Sequence, residues 1–159
     1  MNRLLYFLDF VLAPLGAVGL FVWHPSWLIL PGFIAWTLIE YMLHRLAHVH
    51  PKMRAEHWVH HQFPLEITGP TSFHTLVIFG GIFSLGWFVF SLSVSCGVVS
   101  GLLAGYATYL HLHLALHRRE INPGHVLYKL KARHVVHHES GEEKNFGVIT
   151  SAWDKLFRS

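Results

Sequence analysis

The sequence HVVHH at residues 134–138 repeats the pattern of HWVHH at residues 57–61, and both have the form H-x-x-H-H. Positions i, i+3 and i+4 lie on one face of a helix, so each stretch predicts three imidazoles directed at one point. Two further pairs have i, i+4 spacing and predict two imidazoles each: His44/His48 and His113/His117. The four sets contribute ten histidines that helices can direct at a common site.

The composition is that of a membrane protein. Of the 159 residues, 52% are hydrophobic and only 13% are charged, and the mean hydropathy is +0.38. This balance is too apolar for an ordinary soluble domain. The net charge of +3 is therefore no sign of nucleic-acid binding, and we expect no nucleic-acid partner.

Four apolar stretches are long enough to span a bilayer, since a spanning helix needs roughly 20 mainly apolar residues. They lie at about residues 4–23, 27–48, 75–95 and 98–117. The sequence therefore predicts an all-α integral membrane protein with four transmembrane helices, forming a single domain over residues 1–159. The polar segments 49–74 and 118–159 predict a cytoplasmic helical cap that carries a histidine-rich dimetal site.

The basic residues predict the orientation. In the four-span arrangement, all twelve lysine and arginine residues fall on one side of the membrane. Because lysine and arginine are enriched in cytoplasmic loops, we expect both termini and all four histidine sets on the cytoplasmic side.

Glycines mark the last span. Gly97, Gly101 and Gly105 recur every four residues, after a tight turn that is predicted near Cys96-Gly97. Small residues at this spacing let two helices approach closely. They predict packing against a neighbouring helix of the same chain, with a dimer motif as the alternative.

The ten histidines predict a metal site. Neutral imidazole suits iron, zinc, copper and nickel, and ten imidazoles are too many for one tetrahedral zinc ion. They suit two metal ions that each keep an open position. The predicted ligands are His44, His48, His57, His60, His61, His113, His117, His134, His137 and His138. His50 is an alternative to His48, and a surface or capping role is the plainer interpretation of any single histidine.

Further residues are candidates to support the ligands without binding metal: Glu40, Tyr109, His50, His74 and His125. Glu40 lies one turn before His44, and a carboxylate at membrane depth usually has a partner. We expect it to orient an imidazole N–H. A salt bridge to Arg45 or a solvated position is the alternative. Asp154 is interpreted as a residue that caps or pairs locally.

These motifs resemble those of the fatty acid hydroxylase / sterol desaturase superfamily. The resemblance runs from about residue 39 to residue 157. It rests on HRLAH at 44–48, HWVHH at 57–61, HLALH at 113–117 and HVVHH at 134–138. The closing runs NFGV at 145–148 and WDKLF at 153–157 are similar to the family's ending.

Two details resemble the fatty acid 2-hydroxylase branch in particular. One is His60-His61 followed by Pro64 and Pro70, and the other is the run from Tyr109 through LKARH at residues 130–134. The first pair departs from the branch, which often has one more residue between these two histidines.

The resemblance implies a membrane-bound di-iron monooxygenase. Two iron ions, replaced by zinc in some preparations, would activate O₂ and hydroxylate an unactivated C–H bond of a lipid acyl chain near its carboxyl end. The implied partners are the acyl substrate, membrane lipids and a separate electron-transfer protein of the ferredoxin or cytochrome type. A separate donor is expected because the sequence shows no haem domain of the kind fused to many relatives.

Three other functions stay open. A sterol or carotenoid hydroxylase or desaturase shares the H-x-x-H-H motifs. A metal transporter would place polar ligands near the bilayer midplane, whereas these sets lie at and beyond the predicted span ends. A non-catalytic zinc-binding membrane protein would need no open coordination position. Metal occupancy together with O₂-dependent turnover distinguishes these classes.

Overall fold

The computed structural model describes residues 7–65, 70–139 and 144–159, and these residues form helices without a strand. The helices are α1 (Asp9–Trp23), α2 (Ile29–Val49), α3 (Pro51–Gln62), α4 (Ser72–Val89), α5 (Leu92–Arg118), α6 (Tyr128–Glu139) and α7 (Ala152–Phe157). The all-α prediction is confirmed for this part of the chain. The start of the first predicted span, residues 4–6, lies outside it.

The helices group into two compact units. The first comprises Met1–Trp36 and Pro70–Thr108, and the second comprises Thr37–Gly69 and Tyr109–Ser159. The long helices α2 and α5 contribute residues to both units. All ten predicted metal ligands belong to the second unit.

Two of the described helices are long and apolar enough to cross a membrane, namely α4 and α5. They correspond to the third and fourth predicted spans. Helix α1 is apolar but has only 15 residues. Helix α2 has 21 residues but includes Glu40 and Arg45, and it is not among the helices apolar enough to span. Four transmembrane helices therefore remain a prediction.

The predicted turn near Cys96-Gly97 is wrong, because α4 and α5 are separated at Phe90-Ser91 instead. Ser91 directly precedes α5 and caps it: its Oγ accepts a hydrogen bond from the backbone N–H of Val94 at 3.2 Å. Serine is favoured at this position since its side chain satisfies a backbone donor that the first helical turn leaves free. Cys96 is fully buried inside the helix.

The glycines of α5 serve close packing. A Cβ added to Gly101 would meet the carbonyl oxygen of Ile29, and one added to Gly105 would lie 2.5 Å from the Cβ of Trp36. Both contacts join α5 to the first two turns of α2 within the first unit. Packing against a neighbouring helix of the same chain is thus confirmed.

A buried carboxylate links three helices of the first unit. Asp9 on α1 is 4% exposed and accepts hydrogen bonds from the hydroxyls of Thr75 on α4, at 2.8 Å, and Tyr106 on α5, at 2.7 Å. A carboxylate among apolar helices needs such donors.

Candidate metal centre

Four helices of the second unit carry the histidines. His44 and His48 lie in the last turns of α2, and Pro51 then begins α3 at a position where proline is tolerated. The first H-x-x-H-H motif lies on α3, and the second lies on α6. His113 and His117 occupy the last two turns of α5. Every set therefore has the helical spacing that the sequence predicts.

The structure brings all ten histidines together in two groups of five. Within each group, the candidate ligand atoms all lie within 4.8 Å of one another. Group A consists of His44, His48, His57, His61 and His137. Group B consists of His60, His113, His117, His134 and His138. Metal binding by these residues stays a prediction.

Each H-x-x-H-H motif is divided between the groups, so the expectation that it directs three imidazoles at one point is wrong. Successive residues of an α-helix are rotated by about 100°. His57 and His61, at i and i+4, are therefore about 40° apart, whereas the adjacent His60 and His61 are about 100° apart. The same rotation places His137 in the opposite group from its neighbour His138.

In group A, the Nε2 atoms face one another at short range. The Nε2 atom of His57 lies 3.1 Å from that of His44 and 3.0 Å from that of His48. The Nε2 atom of His61 is 3.0 Å from that of His57, and the Nε2 atoms of His48 and His137 are 3.2 Å apart.

Group B repeats this arrangement. The Nε2 atom of His113 lies 3.1 Å from those of His60 and His117. The Nε2 atom of His117 lies 2.9 Å from that of His134.

These distances fit nitrogen ligands of a metal ion. With bonds of about 2.0–2.1 Å, two nitrogen atoms on one ion are about 3 Å apart when their bond angle is close to 90°. Both ring nitrogens of His138 are buried and have no hydrogen-bond partner among the described residues. A buried polar atom without a partner is costly, and a cation in group B would provide one. The residues present therefore fit two metal ions.

The imidazoles outside the apolar helices are neutral at pH 7. Burial, with added repulsion from neighbouring imidazoles, lowers the pKa of His57 to about 2 and that of His138 to about 2. Burial is also the main cause that lowers the pKa of His60 to about 3 and that of His61 to about 4. Neutral imidazole is the form that binds metal.

Two imidazoles of group A are oriented by backbone carbonyls. The Nδ1–H of His44 donates to the carbonyl of Phe146 at 2.6 Å, and that of His137 donates to the carbonyl of Lys144 at 2.8 Å. Since a carbonyl can only accept, the proton of each ring lies on Nδ1. The lone pair of Nε2 therefore faces the group.

Phe146 also packs against group A with its ring, and the residue is only 1% exposed. Its ring centroid lies 5.8 Å from that of His44, 5.2 Å from that of His48 and 5.6 Å from that of His137. The ring excludes water from this side of the imidazoles.

Glu40 acts on group A indirectly, through backbone groups, and does not bind an imidazole as predicted. Its buried carboxylate accepts hydrogen bonds from the backbone N–H of Val148 at 2.8 Å and of Ile149 at 3.5 Å, not from an imidazole. Arg45 donates to the hydroxyl of Tyr41 instead of forming a salt bridge with Glu40. Glu40 thus holds the segment whose carbonyls orient His44 and His137.

Asp154 is more than a local cap. Its carboxylate is 2% exposed and accepts hydrogen bonds from the backbone N–H groups of Phe146 at 2.8 Å and Gly147 at 3.1 Å. Arg133 also donates a hydrogen bond to this carboxylate at 3.0 Å and forms an ion pair with it. Asp154 therefore ties the segment around Phe146 to α6, which carries three of the histidines.

Among the other supporting candidates, only Tyr109 has a ring contact with one of the ten histidines. Its ring stacks on that of His113, with centroids 5.3 Å apart. His50 is exposed, and its side chain makes no capping hydrogen bond at the start of α3. His74 is exposed and pairs with the hydroxyl of Thr71, while the Nδ1 atom of the exposed His125 accepts from the N–H of Leu127. The structure therefore brings His48, not His50, into group A.

Lys131 was not predicted to support the site. Its ammonium donates to the carbonyls of Leu116 at 2.9 Å and Arg119 at 2.6 Å. These carbonyls end α5, so the lysine stabilises the helix terminus that carries His113 and His117. In the sequence, Lys131 belongs to the run LKARH at residues 130–134, three residues before His134, and this run supports the family resemblance.

The sequence model of the fatty acid hydroxylase family matches residues 29–159 of this chain. These residues include all ten histidines. The chain belongs to the fatty acid hydroxylase family. The resemblance inferred from the histidine motifs is thereby confirmed.

Similar proteins include fatty acid 2-hydroxylases. The human fatty acid 2-hydroxylase is 34% identical over 142 residues, which are 80% of this chain and 38% of the human protein. The dihydroceramide fatty acyl 2-hydroxylase of Arabidopsis thaliana is 30% identical over 139 residues, which are 79% of this chain and 57% of the plant protein. The chain therefore spans less than two thirds of the length of these relatives.

A solved structure has the same fold. It is described as full-length scs7p with only the hydroxylase domain visible, and its TM-score is 0.73 with 24% sequence identity. The likeness covers 96% of this chain and 62% of the other.

Proposed function

We propose that this protein is an O₂-dependent di-iron hydroxylase that acts on a lipid acyl chain near its carboxyl end. The observation that carries the proposal is the arrangement of ten imidazoles in two groups of five within the second unit. The names of the relatives, fatty acid 2-hydroxylase and dihydroceramide fatty acyl 2-hydroxylase, support the acyl substrate and the position of attack.

The donor set supports iron without requiring it, because imidazole suits iron as well as zinc. Two iron ions held by groups A and B would supply the reduction of O₂ and the oxidation of a C–H bond. The balance is one acyl C–H bond, one O₂, two electrons and two protons, which give one C–OH group and one water. The electrons require a separate donor, for which a ferredoxin or a cytochrome is the proposed class.

The chain's own residues prepare this site in three ways. Burial keeps the imidazoles of α3 and α6 neutral and available as ligands. The carbonyls of Lys144 and Phe146 fix the rings of His137 and His44. The ring of Phe146 shields one side of group A from water. A dry site limits side reactions of an oxidising centre.

The proposed membrane arrangement has four spans, with both termini and the metal site on the cytoplasmic side. It rests on the positions of the twelve basic residues and on the two apolar helices α4 and α5. Reporter fusions at Ser91, in the turn between α4 and α5, and at Ser159 are expected to report opposite sides of the membrane. Fusions that report the same side would contradict four spans.

The position of the histidines along α5 supports attack near the carboxyl end. His113 and His117 follow the apolar part of this helix and precede Arg118, so they would lie at headgroup depth. An acyl chain anchored there by its polar end presents its first carbons, while its methyl end stays in the bilayer.

Product analysis under ¹⁸O₂ tests the proposed reaction. Membranes that contain the protein, supplied with reductant and donor, are expected to form acyl chains with ¹⁸O on carbon 2, as measured by position-resolved mass spectrometry. Label at the methyl end, a new double bond without label, or label on a sterol or carotenoid would each contradict this proposal. Membranes without the protein are the control.

A further inference from the structure

One short segment makes hydrogen bonds and ring contacts with group A. Among the described residues, it makes none of these contacts with group B. We call residues 144–149 the strap. Its carbonyls at Lys144 and Phe146 accept the Nδ1–H groups of two group A ligands, and the Phe146 ring touches three. In the parts of the chain that the structure describes, no Nδ1 atom of group B donates to the strap. That of His138 has no partner.

Two buried carboxylates hold the strap in place. Glu40 accepts from the backbone N–H groups of Val148 and Ile149, and Asp154 accepts from those of Phe146 and Gly147. Four successive N–H groups are therefore bound by side chains of α2 and α7.

The backbone of the strap is adapted to this path. Asn145 has a φ of 59°, a conformation that asparagine tolerates better than most residues. A Cβ added at Gly147 would meet the carbonyl oxygen of Thr150 and lie 2.9 Å from the Asp154 carboxylate. The segment is thus fitted closely to its carboxylate partners.

We propose that the strap is a lock that makes the two metal positions unequal: through the strap, Glu40 and Asp154 hold group A in its ligand geometry, so that group A retains its metal longer than group B. This proposal rests on the proposed dimetal site. Glu40 and Asp154 are positioning residues, since both act through backbone that orients His44 and His137.

The physical reason is pre-organisation. A ring fixed by a carbonyl keeps its Nε2 lone pair directed at the metal, whereas a ring without such a partner can turn away when its bond to the metal breaks. Loss of a partner that orients a ligand typically costs about 10–100-fold in metal affinity. The carboxylates are one hydrogen bond further away, yet each holds two N–H groups of the strap.

Zinc release from the full chain in lipid nanodiscs tests the lock. The zinc-loaded protein is mixed with excess chromogenic chelator, and release is followed over time. The wild type is expected to bind two zinc ions and release them in two phases. Glu40→Gln should accelerate the slow phase by about 10–100-fold and leave the fast phase within about twofold. Glu56→Gln, the same change at an exposed site on α3, should alter neither phase.

Two ligand variants assign the phases without disturbing the strap. His117→Ala removes a group B ligand and should retain one zinc that leaves in the slow phase. His61→Ala removes a group A ligand and should retain one zinc that leaves in the fast phase. Equal release rates from these two variants would overturn the lock, whatever Glu40→Gln does.

Further outcomes separate the lock from general destabilisation and from the dimetal site itself. Equal acceleration of both phases by Glu40→Gln would make Glu40 merely structural and overturn the proposal. If that variant does not fold, as judged by size-exclusion chromatography, Asp154→Asn takes its place with the same expected result. Fewer than two zinc ions in the wild type would contradict the dimetal site, whereas two ions released at one rate would contradict only the lock.

Discussion

His48→Ala is expected to abolish formation of hydroxylated acyl chains, whereas His50→Ala is expected to leave it unchanged. His48 lies in group A, with its Nε2 atom 3.0 Å from that of His57 and 3.2 Å from that of His137. Its removal takes away a predicted metal ligand. Because loss of a residue that merely supports a ligand costs about 10–100-fold, loss of the ligand itself should cost more than about 100-fold in turnover.

The control is closely matched, since His50 is two residues away and also loses an imidazole. His50 is exposed and makes no capping hydrogen bond with its side chain, so its removal breaks no such hydrogen bond in the part of the chain that the structure describes. Product yield and metal content per chain are measured for both variants. A fully active His48→Ala protein would contradict the assignment of His48 as a ligand. A His50→Ala protein that has lost its metal would contradict the exclusion of His50.

The helices that carry the ligands could be predicted from sequence because the information is local. Spacings of three and four residues decide which side chains share a helix face, and all four sets lie on helices as expected. The division of each H-x-x-H-H motif between two groups could also have been derived, since His60 and His61 point about 100° apart. Side chains on one face of a helix can therefore point to different positions in space.

The support of group A could not be derived in the same way. Glu40 binds the N–H of Val148, which lies 108 residues further along the chain. No periodicity links such positions. The orientation of His44 depends on a backbone carbonyl, and any residue type can supply one. Asp154 could be noticed in the sequence, but its four acceptor contacts depend on the folded path of the strap.

The turn between α4 and α5 shows how one residue type can mislead. Glycine is common in turns, so Gly97 predicts one. In the structure a Cβ at Gly97 would lie 2.7 Å from the Ser26 hydroxyl oxygen, so the glycine serves packing. The turn lies instead at Ser91, whose hydroxyl caps the next helix.

Removal of the metals is expected to abolish turnover, and iron(II) but not zinc(II) is expected to restore it. Both ions suit a site built from imidazoles, so both should bind to the chelator-treated protein. Zinc has no redox chemistry. It can therefore occupy groups A and B without passing electrons from a donor to O₂.

The experiment compares equal metal loading, because lack of binding would otherwise explain lack of activity. Chelator-treated protein is loaded anaerobically with two equivalents of either ion, the metal content is measured, and hydroxylated product is then counted after O₂ and reductant are added. Zinc-loaded protein that turns over as fast as iron-loaded protein would contradict an oxygenase of this type. Protein that binds both ions but turns over with neither would support the non-catalytic zinc-binding alternative. Turnover with iron alone requires electron transfer at the groups, and the ten imidazoles then serve as ligands of a reactive centre instead of a structural one.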